Sequence, residues 1–168
     1  MIIIDAHCDT ALSLQEGGGN LYENSYHLDL KRLLSSGKRV QFFAAFADPR
    51  EYRNRELVKV LSVIDTLYSE AEAHRDKIKV CLSSKDVKDA LDEGKVAAIL
   101  SVEGGEALNG ELSVLRQLYR LGVRSMLLTW NYRNMLADGA EEPDGAGLTE
   151  FGRQVVLEME RLGMIVDV

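Results

Sequence analysis

One hydrophobic pattern recurs along the chain: an amphipathic segment closed by glycine, followed at once by an apolar run rich in β-branched or aromatic residues. It occurs four times. Leu28 to Ser36 leads through Gly37 to the run from Val40 to Phe46, and Val87 to Glu93 leads through Gly94 to the run from Val96 to Val102. Leu112 to Leu121 leads through Gly122 to the run from Val123 to Thr129, and Leu148 to Leu162 leads through Gly163 to the run from Met164 to Val168. Each glycine suits the left-handed position that closes a helix, and each run suits a strand covered on both faces. With Ile2-Ile3-Ile4 as an opening strand, the pattern predicts roughly five strands with intervening helices. That is an α/β fold built on a parallel sheet, not a bundle or a sandwich.

The remaining segments fit this plan. Arg55 to His74 has helical spacing, with Leu57, Val60, Leu61, Ile64, Leu67 and Tyr68 on one face. Ile78 to Leu82 reads as an accessory strand, and Ser83-Ser84-Lys85-Asp86 as the capping signal of the next helix. Two polar stretches, Gln15 to Tyr26 and Asn131 to Gly147, each follow a strand and so read as βα loops, the loops that carry function in α/β folds. Gly17-Gly18-Gly19 lacks a following Gly-Lys-Ser/Thr and reads as a flexible loop, and the acidic stretch around Glu141-Glu142 as a solvated excursion more than a lid. No boundary interrupts the chain, which reads as a single domain over residues 1–168.

Composition narrows the function classes. The net charge of −7 argues against nucleic acid or an anionic membrane as the main partner, since both attract basic patches. No segment has the apolar length to span a bilayer and the first residues lack a basic region, so the expected setting is cytoplasmic. Cys8 and Cys81 are too few for a disulfide framework and read as small core residues.

His7 and Asp9 follow the first strand two positions apart, so extended backbone projects them the same way while Cys8 points away. An imidazole and a carboxylate so placed can share one divalent metal. Glu103 closes the apolar run from Val96 and precedes Gly104-Gly105. A carboxylate at the exit of a buried strand is costly unless a cation neutralises it. A metal would do so, and a carboxylate can bridge two ions. Pairing with an arginine such as Arg124, or capping of the next helix, answers the same need.

Asp5-Ala6-His7-Cys8-Asp9-Thr10, Gly94-Lys95-Val96 running to Val102-Glu103-Gly104-Gly105, Leu118 to Arg124, and Gly147 to Gly152 resemble the membrane (renal) dipeptidase family in order and spacing. The resemblance extends over nearly the whole chain. It implies a parallel TIM-type (β/α) barrel, of which these residues form about the first half, and hydrolysis of dipeptides by water activated at a pair of zinc ions. His7 and Asp9 would hold one zinc and Glu103 would bridge both. The histidines of the second zinc and the aspartate that handles the water's proton are expected beyond Val168, so catalysis by these residues alone is not expected. His27 and His74 read as surface residues and not as substitute ligands. Trp130 stands where classical members carry a substrate-contacting histidine; indole offers one N–H and a large apolar face, which makes Trp130 either a substrate-binding residue or packing over the barrel mouth.

Five strands would leave the first and last with open edges, so a missing C-terminal half, a second chain or self-association is expected to complete the sheet. A rival enzyme class, the barrel amidohydrolases of cyclic amides or esters, usually opens with His-x-His where this chain has His7-Cys8-Asp9. A non-catalytic half-barrel that binds a ligand or assists assembly is the reading from outside enzymes, and metal content separates it from the others.

Overall fold

All four predicted helix-closing glycines take left-handed backbone: in the computed structural model, which describes residues 1–168, φ is 102° at Gly37, 73° at Gly94, 103° at Gly122 and 74° at Gly163. The elements they punctuate follow the predicted order. Strand β1 is Ile2–Asp5, helix α1 Thr10–Gly17, α2 Leu30–Ser35, β2 Lys38–Phe46, α3 Glu56–Ala73, β3 Ile78–Val80 and α4 Ser84–Asp92. Strand β4 is Val96–Glu103, α5 Leu112–Arg120, β5 Val123–Leu127, α6 Glu150–Leu162 and β6 Ile165–Asp167, with a single 3₁₀ turn at Gly105–Leu108 after β4.

The strands form one sheet in the order β1-β2-β4-β5-β6, with β3 attached to β4 off that path. The registered pairs β1–β2, β3–β4 and β5–β6 are parallel, as helical crossovers between successive strands require. β1 and β6 are the two ends of the order. β6 departs from the expectation of a strand covered on both faces: Ile165 is exposed, because an end strand lacks a neighbour on one side.

The chain packs as two compact units, Met1–Ala45 with Leu61–Leu100 and Phe46–Val60 with Ser101–Val168. In the first, Val40, Cys81, Ala90, Leu91, Ala97 and Ile99 form a core cluster against which Phe42 and Val87 pack. Ser83 caps α4 by accepting from the Asp86 amide, as its sequence signal predicts. In the second, α5 packs on β5 and on α6, and Leu115, Leu118, Val155 and Met159 are all buried. Burying one such side chain contributes roughly 1.5–3 kcal/mol, so these few helix positions carry much of the unit's cohesion.

Several elements differ from expectation. Helix α1 occupies residues read as the start of a loop, and Gly17 ends it in place of belonging to a flexible triplet. On α3 the buried stripe is Val60, Val63, Ile64, Leu67 and Ala71, whereas Leu61 and Tyr68 each stay 37% exposed. The stripe advances by three or four residues per turn, and Leu61 lies one step of about 100° off it. The acidic stretch before α6 is solvated as expected, with Glu141 and Asp144 exposed, but its base is anchored: Leu136 and Ala137 are buried, and Ala137 bridges Leu148 in antiparallel fashion.

That anchor depends on α6 approaching without a side chain. The Thr149 amide donates to the Leu136 carbonyl at 2.8 Å, and a Cβ on Gly152 would lie 2.0 Å from the same oxygen. Gly152→Ala is therefore expected to destabilise by about 2–4 kcal/mol through a backbone clash. Gly163→Ala, which meets open space but a φ of 74°, should cost only about 1–2 kcal/mol. Urea unfolding of both variants checks this, and equal losses would contradict it.

Candidate metal centre

β1 ends at Asp5, and the backbone turns through His7 and Asp9 into α1. His7 Nε2 lies 3.2 Å from Asp9 Oδ1. The two meet across a turn and not by strand alternation, since β1 ends at Asp5 and Asp9 has φ -97° and ψ 14°. The His7 amide donates to Asp5 Oδ1 at 3.2 Å, which stiffens the turn. Asp9 is the N-cap residue of α1, yet its carboxylate makes no cap hydrogen bond. Only its carbonyl serves the helix, accepting from the Ser13 amide and hydroxyl. A capping carboxylate contributes typically about 1 kcal/mol, so the helix gives up stability to leave this one facing His7.

Glu103 is the last residue of β4, after seven consecutive buried positions from Val96 to Val102. The amides of Gly104 and Gly105 donate to the carbonyls of Leu127 and Leu128 at 3.1 and 3.0 Å, which ties the exit of β4 to the exit of β5 and fixes where the carboxylate starts. One ligand atom from each of His7, Asp9 and Glu103 lies within 4.8 Å of the others. Ligands about 2.0–2.2 Å from a tetrahedral ion sit roughly 3.5 Å apart, so small side-chain rotations close the set. One imidazole and two carboxylates suit a zinc-like divalent ion, and the residues fit the group that the sequence predicts. Arg124, the alternative partner considered for Glu103, donates to the carbonyls of Tyr119 and Val123 and lies 4.1 Å over the Tyr119 ring.

A cavity of about 440 Å³ opens beside His7 and Asp9, lined also by Asp5, Ser13, Tyr26 and His27. His27, read from sequence as a surface residue, is exposed but on this wall. Arg32 holds the wall in place: its guanidinium donates to the carbonyls of Tyr26 and His27 at 2.6 and 3.1 Å and to Asp29 Oδ2 at 2.8 Å. Asp29 is buried and caps α2 by accepting from the Arg32 amide. Burial alone would raise its pKa, but hydrogen bonds from Arg32 and Asn24 outweigh that and hold the carboxyl below the usual range. The sequence signal was available, since Asp29 followed three residues later by Arg32 is a helix start that reaches back over its own approach. His74 is engaged elsewhere, half-buried beside Glu70 at 3.8 Å and against the Tyr22 ring.

Cys8 touches the same cavity, and not only the core as expected. Burial pushes its thiol pKa up to about 12, so it is no thiolate nucleophile at neutral pH. Cys81 is buried in the core as predicted. Trp130 follows β5 and packs against Phe46 at a ring separation of 4.9 Å and edge-on to Tyr132 at 5.5 Å.

A parallel α/β sheet with polar side chains at its strand exits is the general plan of barrel enzymes. The family profile of the membrane dipeptidases, peptidase family M19, matches residues 1–168, and the chain belongs to this family. It is 32% identical over 151 residues to the dipeptidase tcpJ of Claviceps purpurea (strain 20.1) and 30% over 153 residues to the dipeptidase verJ of Clonostachys rogersoniana. These alignments cover 84% of this chain but 36% and 39% of those proteins, so the chain spans well under half the length of these curated relatives. The solved metallopeptidase from Rhodobacter sphaeroides, bound to a phosphinate mimic of the dipeptide L-Ala-D-Ala, superposes with a TM-score of 0.85 at 26% identity, covering 99% of this chain and 58% of that one. The fold is thus about the first half of a TIM-type barrel, as expected. No helix is long and apolar enough to cross a membrane.

Asp29 offers a pH test of the cavity wall. Its folded pKa is depressed, so its contribution is present above the unfolded carboxylate value of about 3.9 and is lost as pH falls through the folded value. Asp29→Asn should cost about 1–2 kcal/mol at pH 7 as a lost cap and clamp, with the deficit shrinking below about pH 4. Thermal melts of both proteins across that range check it; a deficit independent of pH would refute the assignment.

Proposed function

We propose that His7, Asp9 and Glu103 hold a zinc ion as one side of a two-metal centre for dipeptide hydrolysis. The observation that carries this reading is the convergence of three ligand atoms within 4.8 Å at the exits of two parallel strands. Membership of the dipeptidase family and the likeness to a metallopeptidase bound to a dipeptide mimic support the substrate class.

Each residue has a distinct task on this reading. His7 offers a neutral imidazole nitrogen, and its backbone amide, held by Asp5, keeps the ring at the cavity mouth. Asp9 supplies a carboxylate already released from capping duty. Glu103 has two oxygens and can face both ions, its backbone braced by the Gly104 and Gly105 amides. When bound, the ions supply Lewis-acid activation of water and of the scissile carbonyl. Trp130 takes the substrate-facing place that a histidine holds in classical members, and indole cannot serve there as an acid.

The ligand set is tested by metal content. Isothermal titration with zinc should give saturable binding, and His7→Ala, Asp9→Asn and Glu103→Gln should each weaken it at least tenfold, the loss typical even of outer-shell changes. Bound zinc should also raise the melting temperature, and chelator should reverse the gain. Zinc affinity indifferent to all three substitutions would sink the metal-centre reading and favour a non-catalytic module.

A further inference from the structure

Phe46 ends β2, and Trp130 lies three residues beyond the end of β5. β4 runs between these two strands. Adjacent strands are about 4.8 Å apart, so β2 and β5 are separated by roughly 10 Å. The rings of Phe46 and Trp130 nevertheless meet at 4.9 Å, because Trp130 stands beyond the end of β5 and is not held at that strand spacing. The strand between β2 and β5 ends in Glu103.

Tyr132 extends this ring pair, edge-on to Trp130 with an interplanar angle of 77°. The outer side is braced by a cation. The Arg50 guanidinium sits 4.8 Å from the Tyr132 ring centre and 5.8 Å from that of Trp130. Arg50 is itself fixed by Asp48, which accepts from Nε at 3.1 Å and from the terminal nitrogen at 2.7 Å. Phe46, Trp130 and Tyr132 are only partly buried, so ring surface remains open beneath the brace.

We infer that Phe46, Trp130 and Tyr132 form a side-chain subsite that selects dipeptides carrying a bulky apolar or aromatic residue. The inference rests on the dipeptidase reading above, because a peptide bond held beside Glu103 places a flanking side chain against these rings. Ring faces reward apolar and aromatic groups and offer a glycine nothing. Arg50 and Asp48 are positioning residues that keep the rings from collapsing outward. Trp130 does the selecting through shape and apolar surface, where a histidine would offer a polar contact.

Trp130 is the sole tryptophan, so its emission reports on this subsite without requiring turnover. The zinc-loaded chain is mixed with Leu-Phe or Gly-Gly in a stopped-flow fluorimeter. Leu-Phe should give a saturable change with an affinity at least about tenfold above that of Gly-Gly, the discrimination expected of an apolar pocket. Phe46→Ala should cut this ratio to threefold or less while zinc affinity stays unchanged, and Phe46→Tyr should restore it. Should the alanine variant fail to fold, Phe46→Leu, which keeps apolar volume but removes the ring, should lower the ratio in the same direction. Zinc binding accompanied by equal affinities for the two dipeptides, or by no response to Leu-Phe, overturns the subsite alone. Absence of zinc binding overturns the metal centre and this inference with it.

Discussion

A carboxylate at the mouth of a fully buried strand is the constraint from which the rest of the arrangement follows. β4 hides every side chain from Val96 to Val102 and then presents Glu103. A slip of one residue in its pairing would exchange the two faces and move Glu103 with them, so the register that packs the core also places the carboxylate. The Gly104 and Gly105 amides, bonded to the Leu127 and Leu128 carbonyls, carry that placement beyond the last strand residue. Because the sheet is parallel, the polar ends of successive strands lie at one end of it. Chemistry there draws on residues distant in sequence without any long loop having to be ordered.

What the sequence made legible was the part that depends on local chemistry. Gly37, Gly94, Gly122 and Gly163 follow helices in left-handed conformation, and the apolar run after each is long enough to be read without knowing its neighbours. Helix α1 was hidden because its usual signal is diverted: Asp9 stands at the N-cap but faces His7, and the short segment to Gly17 runs into a glycine triplet that suggests a loop. The burial of Leu136 was likewise out of reach. It is set by α6 pressing Gly152 against the Leu136 carbonyl, a contact between residues that no periodicity connects. Leu61 and Tyr68 show the opposite limit, where a helical face was legible but its centre was off by one step.

The candidate site divides along the same line. The nearness of His7 and Asp9 was legible from their spacing, although the reason is a turn into α1 and not the alternation of extended backbone. The role of Glu103 was not, because metal ligation, an arginine partner and a helix cap all satisfy a carboxylate at a strand exit. Only the distances among the three side chains favour the first. His27 was passed over because isolated imidazoles on polar stretches are usually solvated. It is the clamp of Arg32 on the Tyr26 and His27 carbonyls, anchored by buried Asp29, that turns its loop into a cavity wall.

Two local rules are broken within a few ångströms of each other, and this is the strongest physical reason to place function there. Asp9 stands at a helix N-terminus without capping it, and Glu103 follows seven buried residues as a carboxylate. Each places a carboxylate where local packing and capping rules do not ask for one. Scattered through a protein, such departures would mean little. Converging on one imidazole, they are what a cation-binding site would require, and departures from local rules concentrate where stability yields to function. The ring pair of Phe46 and Trp130 shows a related departure, since large aromatic side chains near the polar strand exits are left only partly buried.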